Sequence, residues 1–138
     1  MRRHVVLFSF GALIVCCSSG LTSDVIAQER IKDVDACGLV MGPDGRGISE
    51  ATVSAISDGR TLAIATSLSD GSFSFTQSIN SPVELHVRAK GFSEASAAVE
   101  KMRGAGLKKC GHPVYAVLAT GSGNSYLTTK KKGLPKTK

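Results

Sequence analysis

The stretch Ser67-Leu68-Ser69-Asp70-Gly71-Ser72-Phe73-Ser74-Phe75 places an Asp-Gly pair between two segments of alternating polarity, and its reading decides the fold. Such a pair serves three chemistries: a metal loop, a phosphate cradle, or a tight turn between strands. A calcium loop needs several oxygen ligands at close spacing, and this stretch offers the single carboxylate of Asp70. A phosphate loop needs a longer glycine-rich run that opens a helix, whereas Phe73 and Phe75 alternate with serines as on one face of a strand. The pair therefore reads as a type I′ hairpin turn, in which Asp tolerates a left-handed backbone and Gly adopts it freely. On this reading Thr61 to Leu68 is the strand before the turn, in which Leu62, Ile64, Thr66 and Leu68 alternate with smaller residues. Ser72 to Gln77 is the strand after it, with Phe73 and Phe75 in the core.

Outward from this hairpin the same punctuation recurs. Asp44-Gly45 in Met41 to Ile48 (MGPDGRGI) and Asp58-Gly59 are further turns, Pro43 fixing one dihedral of the first. Between them lie the short apolar strands Ala36 to Met41 and Ala51 to Ser57. Pro82 to Lys90 (PVELHVRAK) alternates Val83, Leu85, Val87 and Ala89 with Glu84, His86, Arg88 and Lys90, the pattern of a half-buried strand. His86 falls on its polar face and reads as a solvated strand residue. Gly91-Phe92 breaks that strand, Ser93 to Glu100 reads as β from its length and context, and Pro113 to Ala119 is the last strand. Short strands with turn signals every eight to twelve residues describe an all-β sandwich.

The N-terminal segment carries Arg2 and Arg3 before the uncharged run Val5 to Cys17, followed by Val25-Ile26-Ala27, the pattern of a secretory signal peptide over residues 1–27. The run is shorter than the roughly 20 residues of a membrane-spanning helix, and Val15 before Cys16 does not suit a lipoprotein signal. Export to the periplasm or the medium is the expectation, with no transmembrane segment. The division that follows is an N-terminal linker at 28–35, a β domain at 36–119 and a flexible lysine-rich tail at 120–138. About 110 residues suffice for one modest core. Between residues 28 and 119 acids and bases balance, so the net charge of +6 comes from the two ends of the chain, with Lys130, Lys131, Lys132, Lys136 and Lys138 in the tail. A solvated tail and a weak contact of Lys130, Lys131 and Lys132 with an anionic surface both fit that run. Lysines without interleaved aromatics, in an exported chain, argue against nucleic acid.

Removal of the signal segment leaves Cys37 and Cys110, an even pair that an oxidising compartment joins as a disulfide. Two free thiols, or a metal-site fragment in Cys110-Gly111-His112, are the other readings, the latter short of ligands.

The ordered set Gly38-Leu39-Val40, Pro43-Asp44-Gly45-Arg46-Gly47-Ile48, Ala51-Thr52-Val53, Thr66, Asp70-Gly71-Ser72-Phe73-Ser74-Phe75, Val83 to Val87 and Lys90-Gly91-Phe92 resembles the carboxypeptidase regulatory-like domain. The resemblance covers about Cys37 to Ala119 and implies a transthyretin-like, seven-stranded Greek-key sandwich. It departs at Glu50, where the family usually has Gly. The family's characteristic residues are structural: Phe73 and Phe75 would fill the core, Gly91 would permit a turn and Gly38 would allow close packing. The implied function is that of a non-catalytic module, binding a protein or an envelope polymer or serving structure, with no cofactor and no metal. A related hydrolase of similar shape relies on His and Arg residues and a Tyr-Arg-Gly-Ser type ending. Here the last residues are Leu-Pro-Lys-Thr-Lys, and His86, Arg88 and His112 sit in no such motif. The Lys–Asn crosslink of pilin-type adhesin domains is excluded by residue type, since Cys37 to Met41 has no Lys and Pro113 to Ala119 has no Asn.

Overall fold

The computed structural model describes residues 30–104 and 109–137. The signal segment 1–27 lies outside the described residues. Nine strands follow in order: β1 (Ile31–Asp35), β2 (Cys37–Met41), β3 (Thr52–Ser57), β4 (Arg60–Thr66), β5 (Ser72–Ser74), β6 (Val83–Arg88), β7 (Ala95–Arg103), β8 (Val114–Val117) and β9 (Tyr126–Thr128). No helix occurs among the described residues. The strands form a five-stranded sheet in the order β1-β7-β6-β3-β4 and a four-stranded sheet in the order β5-β2-β8-β9. Each sheet is mixed, with β1 parallel to β7 in the first and β2 parallel to β8 in the second.

One core joins the two sheets, as in a β-sandwich. Val53, Leu85, Val87 and Val99 enter it from the five-stranded sheet, and Val40, Phe73, Val114 and Ala116 from the other. The alternation of β6 is realised as read: Val83, Leu85 and Val87 are buried and the residues between them are not. A fully buried Leu or Val of this kind contributes about 1.5–3 kcal/mol. Phe73 and Phe75 are both buried, and their rings meet edge to face at 6.0 Å between centroids.

The strand count differs from the expected seven: the described residues form nine, one at each segment read as a strand and two outside them. β1 arises within the expected linker. Its buried residues are Ile31, Val34 and Asp35, a spacing that breaks period two and hides the strand. β9 arises within the expected tail, where Leu127, partly buried against the core, lies opposite Ala116. The turn before it is tied down by Ser125, whose hydroxyl donates to the Ser93 carbonyl at 2.7 Å and accepts the Ala119 N–H at 2.8 Å. Farther on, the tail backbone packs over the β2–β3 turn: a Cβ at Gly45 would stand 2.6 Å from the Pro135 carbonyl oxygen.

Two local readings are corrected. The type I′ turn is Asp58-Gly59, where both residues have positive φ, 49° and 74°. Asp70 has no positive φ, and Gly71 N–H donates to Leu68 O at 2.9 Å, so Ser69-Asp70 are the central residues and Gly71 closes the turn with φ 85°. The chain here does not form a ladder between neighbours either, because β4 belongs to one sheet and β5 to the other. The second concerns β4, where the larger residues of the alternation, Leu62 and Ile64, face solvent and the smaller Ala63 and Ala65 face inward. Ala65 lies opposite Val53 and Ala63 opposite Ala55 at the sheet's edge, positions that small side chains fill. Leu68 is likewise exposed.

Glu50 has φ 59°, in the left-handed region that Gly occupies without strain. Its N–H donates to Ser67 O at 3.0 Å, and the buried Ser67 hydroxyl binds both Ala51 N–H and Ile48 O, which fixes the loop in this conformation. Relief of the steric cost, on the order of 1–2 kcal/mol, outweighs the extra chain entropy of glycine, roughly 0.5–1 kcal/mol. Glu50→Gly is therefore expected to raise the melting temperature by a few degrees. Thermal denaturation followed by circular dichroism checks it, and a fall would show that the side chain makes a compensating contact.

Candidate functional site

The singled-out residues fall mainly into turns and core. Asp44 Oδ1 accepts the Arg46 N–H at 3.1 Å, an Asx turn. Asp70 Oδ1 accepts both the Ser72 N–H at 2.9 Å and the Ser72 hydroxyl at 2.6 Å. Those two hydrogen bonds hold the Asp70 carboxyl below its ordinary value. Gly38 is where β2 passes closest to its neighbours: a Cβ there would overlap the Val114 carbonyl oxygen and stand 2.8 Å from the Phe73 ring. Gly91 turns the chain with φ 85°, and Phe92 is half-buried against the core. Lys131 and Lys132 are exposed, and the Lys130 N–H donates to Thr128 Oγ1 at 3.1 Å.

Chemistry-bearing side chains gather at two places. The first is the outer face of the five-stranded sheet. Strand register aligns Ile64, Ser54, His86 and Ser96 in one row across β4, β3, β6 and β7. His86 is not a freely solvated residue here. Its Nδ1 is hydrogen-bonded to Glu94 Oε1, its Nε2 lies 3.1 Å from Glu84 Oε1, and Arg88 Nε donates to Glu94 Oε2 at 2.8 Å. Glu94 comes from the segment before β7, so period-two reading of β6 alone gave no sign of the cluster. Beside it, Leu62 and Ile64 stand exposed on an edge strand that carries no charge between Thr61 and Thr66.

The His86 hydrogen bond, opposed by burial and reinforced by the Arg88 contacts, holds the Glu94 carboxyl below the ordinary glutamate value. A carboxyl depressed in the folded state adds stability above its unfolded value, and that stability is lost as pH falls through the folded value. The Glu94→Gln variant should therefore lose its stability deficit relative to the parent below the ordinary glutamate range. Paired denaturant titrations at pH 7 and pH 3 check this; an equal deficit at both would refute a charge-dependent role for Glu94.

The second place is the corner where β1 ends and β8 begins. Cys37 and Cys110 form a disulfide with Cα atoms 6.1 Å apart across a separation of 73 residues. The chain-entropy account assigns such a loop about 4 kcal/mol. Asp35 is buried beside it. The Asp35 N–H donates to His112 O at 2.9 Å, and Asp35 Oδ2 accepts the His112 N–H at 2.8 Å. Arg103 Nε stands 3.1 Å from Asp33 Oδ1 and 4.0 Å from Asp35 Oδ1. A cleft of about 510 Å³ opens beside the disulfide, with Leu68, Phe73 and Phe75 in its wall. Of the histidines and arginines weighed as hydrolytic groups, His86 and Arg88 meet through Glu94, whereas His112 belongs to this corner.

No family model matches this chain, and no curated protein matches it.

Proposed function

We propose that the chain is an exported, non-catalytic module of the carboxypeptidase regulatory-like, Greek-key kind, which binds a protein or an envelope polymer through one edge and face of its five-stranded sheet. The observation that carries this reading is the concentration of exposed large apolar side chains, Leu62, Ile64 and Leu68, on and just after β4. Isolated exposed apolar residues are ordinary, but an apolar edge strand is a liability that folded domains usually blunt with charge, and β4 carries only Arg60, at its start. Leaving it open is favoured where a partner covers it. Export is supported by the disulfide and by the fact that no helix among the described residues is long and apolar enough to cross a membrane. The signal peptide and the family remain part of the proposal, resting on the sequence patterns above.

The test is comparative capture from a cell-envelope extract by the parent and by the Leu62→Ser, Ile64→Ser double variant, with circular dichroism to confirm that both are folded. A protein or polymer retained by the parent and lost by the variant supports the reading. Equal retention, or release of a small-molecule product without any stable complex, overturns it.

A further inference from the structure

We propose that Asp35, Cys37 and Cys110 form a redox-gated site for a thiophilic divalent cation of the zinc class, closed while the cysteines are joined and open once a dithiol reductant separates them. Among the described residues these three are the one group of His, Cys, Asp or Glu whose donor atoms all lie within 4.8 Å of one another. The sequence offers the two sulfurs and the fragment Cys110-Gly111-His112, a set short of ligands. The fold adds the carboxylate: Asp35 stands two residues before Cys37, and its hydrogen bonds to His112 set it against the segment that carries Cys110.

The geometry suits a metal once the bond is cut. Thiolate sulfurs bind zinc at about 2.3 Å, so two of them on one ion stand less than about 4.6 Å apart. The Cα separation of 6.1 Å accommodates that spacing with side-chain rotation alone. His112, two residues after Cys110, is tied to Asp35 independently of the disulfide, by one backbone hydrogen bond and by its N–H donating to Asp35 Oδ2, which leaves the second carboxylate oxygen for a cation. Cys110 is exposed and Cys37 partly so, which gives a reductant and then a cation a way in.

The charge at this corner also fits. An Asn at position 35 could make the same bonds to His112 without placing a carboxylate in a position only 9% exposed. Two thiolates and one carboxylate carry three negative charges. A divalent cation leaves one, next to the Arg103 guanidinium that Asp33 shares. Three protein ligands leave the fourth tetrahedral position to water.

The step balances as follows. The dithiol transfers two electrons and two protons to the Cys37–Cys110 bond, ending as a disulfide itself and leaving two thiols. Cation binding then displaces those two protons to solvent as both sulfurs ligate as thiolates.

The test is anaerobic titration of the full chain with Cys16→Ser and Cys17→Ser in every sample, so that Cys37 and Cys110 are its only thiols, reduced and freed of reductant, with Co²⁺ alone. Near-ultraviolet thiolate-to-metal absorption reads binding, and circular dichroism of the same samples reads folding. The expected result is one Co²⁺ per reduced chain and none per oxidised chain. The Cys37→Ser, Cys110→Ser variant should show no such band, and Asp35→Asn, which keeps the acceptor for His112, should bind about tenfold more weakly or worse. A reduced chain that has lost its β signal and regains it with Co²⁺ also supports the site. The absence of the band in the reduced parent, unchanged affinity in Asp35→Asn, or a reduced chain that the metal does not restore overturns it.

Discussion

Replacing Phe73 by Ala should remove about 3–5 kcal/mol of stability, against a total of about 5–15 kcal/mol for a domain of this kind. The ring is buried, meets Phe75 edge to face, and covers Gly38 on the neighbouring strand β2. Truncation empties a space bounded by β2 and β5, and β5 has only three residues with which to adjust. Urea denaturation at neutral pH gives the measurement: a midpoint lowered by a large fraction of the parent value, with unchanged slope, is expected. A loss below about 1 kcal/mol would mean that the site collapses around the smaller side chain.

The second large effect is expected at Gly71, and its contrast with Asp70 separates backbone geometry from side-chain chemistry. Gly71 has φ 85°, and a Cβ there would overlap the Val40 carbonyl oxygen and stand 2.8 Å from Gly47 Cα. The left-handed backbone alone costs a β-branched residue on the order of 1–2 kcal/mol. The overlap adds to this, because Val40 N–H also donates to Gly71 O at 2.7 Å and the two segments cannot part without breaking that bond. Gly71→Val should therefore fail to give a folded chain. Asp70→Asn keeps an oxygen to accept both Ser72 donors and should melt close to the parent, with calcium shifting neither curve. A calcium-dependent gain in the parent that Asp70→Asn abolishes would make this turn a metal loop instead.

Much of the sheet structure was legible because its chemistry is local. Val83, Leu85 and Val87 alternate without interruption, and burial on one face follows from the pleat. Asp-Gly pairs announce turns because few other residues reach the left-handed region cheaply. The two missed strands lacked such signals. β1 buries Ile31 and Val34 in a spacing that no period-two template matches, and β9 is three residues held by pairing with β8. Turn type also escaped: Asp58-Gly59 and Asp70-Gly71 are the same dipeptide, yet only the first links two strands of one sheet.

The candidate sites were less visible than the fold. His86 could be assigned to a polar face from β6 alone, but Glu94 reaches it only through the antiparallel pairing of β6 with β7. Asp35 lay in a segment read as linker, so the carboxylate beside the disulfide had no counterpart in any motif.

The sequence by itself determined the β class, most of the strands, the aromatic core of Phe73 and Phe75, and the two cysteines available to each other. The first three depend on a residue's own backbone preference or on neighbours a few positions away, and the cysteines follow from their number. Only the tertiary structure decided which parity of β4 faces solvent, that Ser69-Asp70-Gly71 turns the chain from one sheet to the other, and that Asp35 meets the segment of Cys110 and His112. Period two defines two faces of a strand but does not say which one the opposite sheet covers. At the narrow edge of this sandwich the alanines fit inside, and Leu62 and Ile64 were left outside. Contacts between residues as far apart as 35 and 112 arise from strand order, which no local preference encodes.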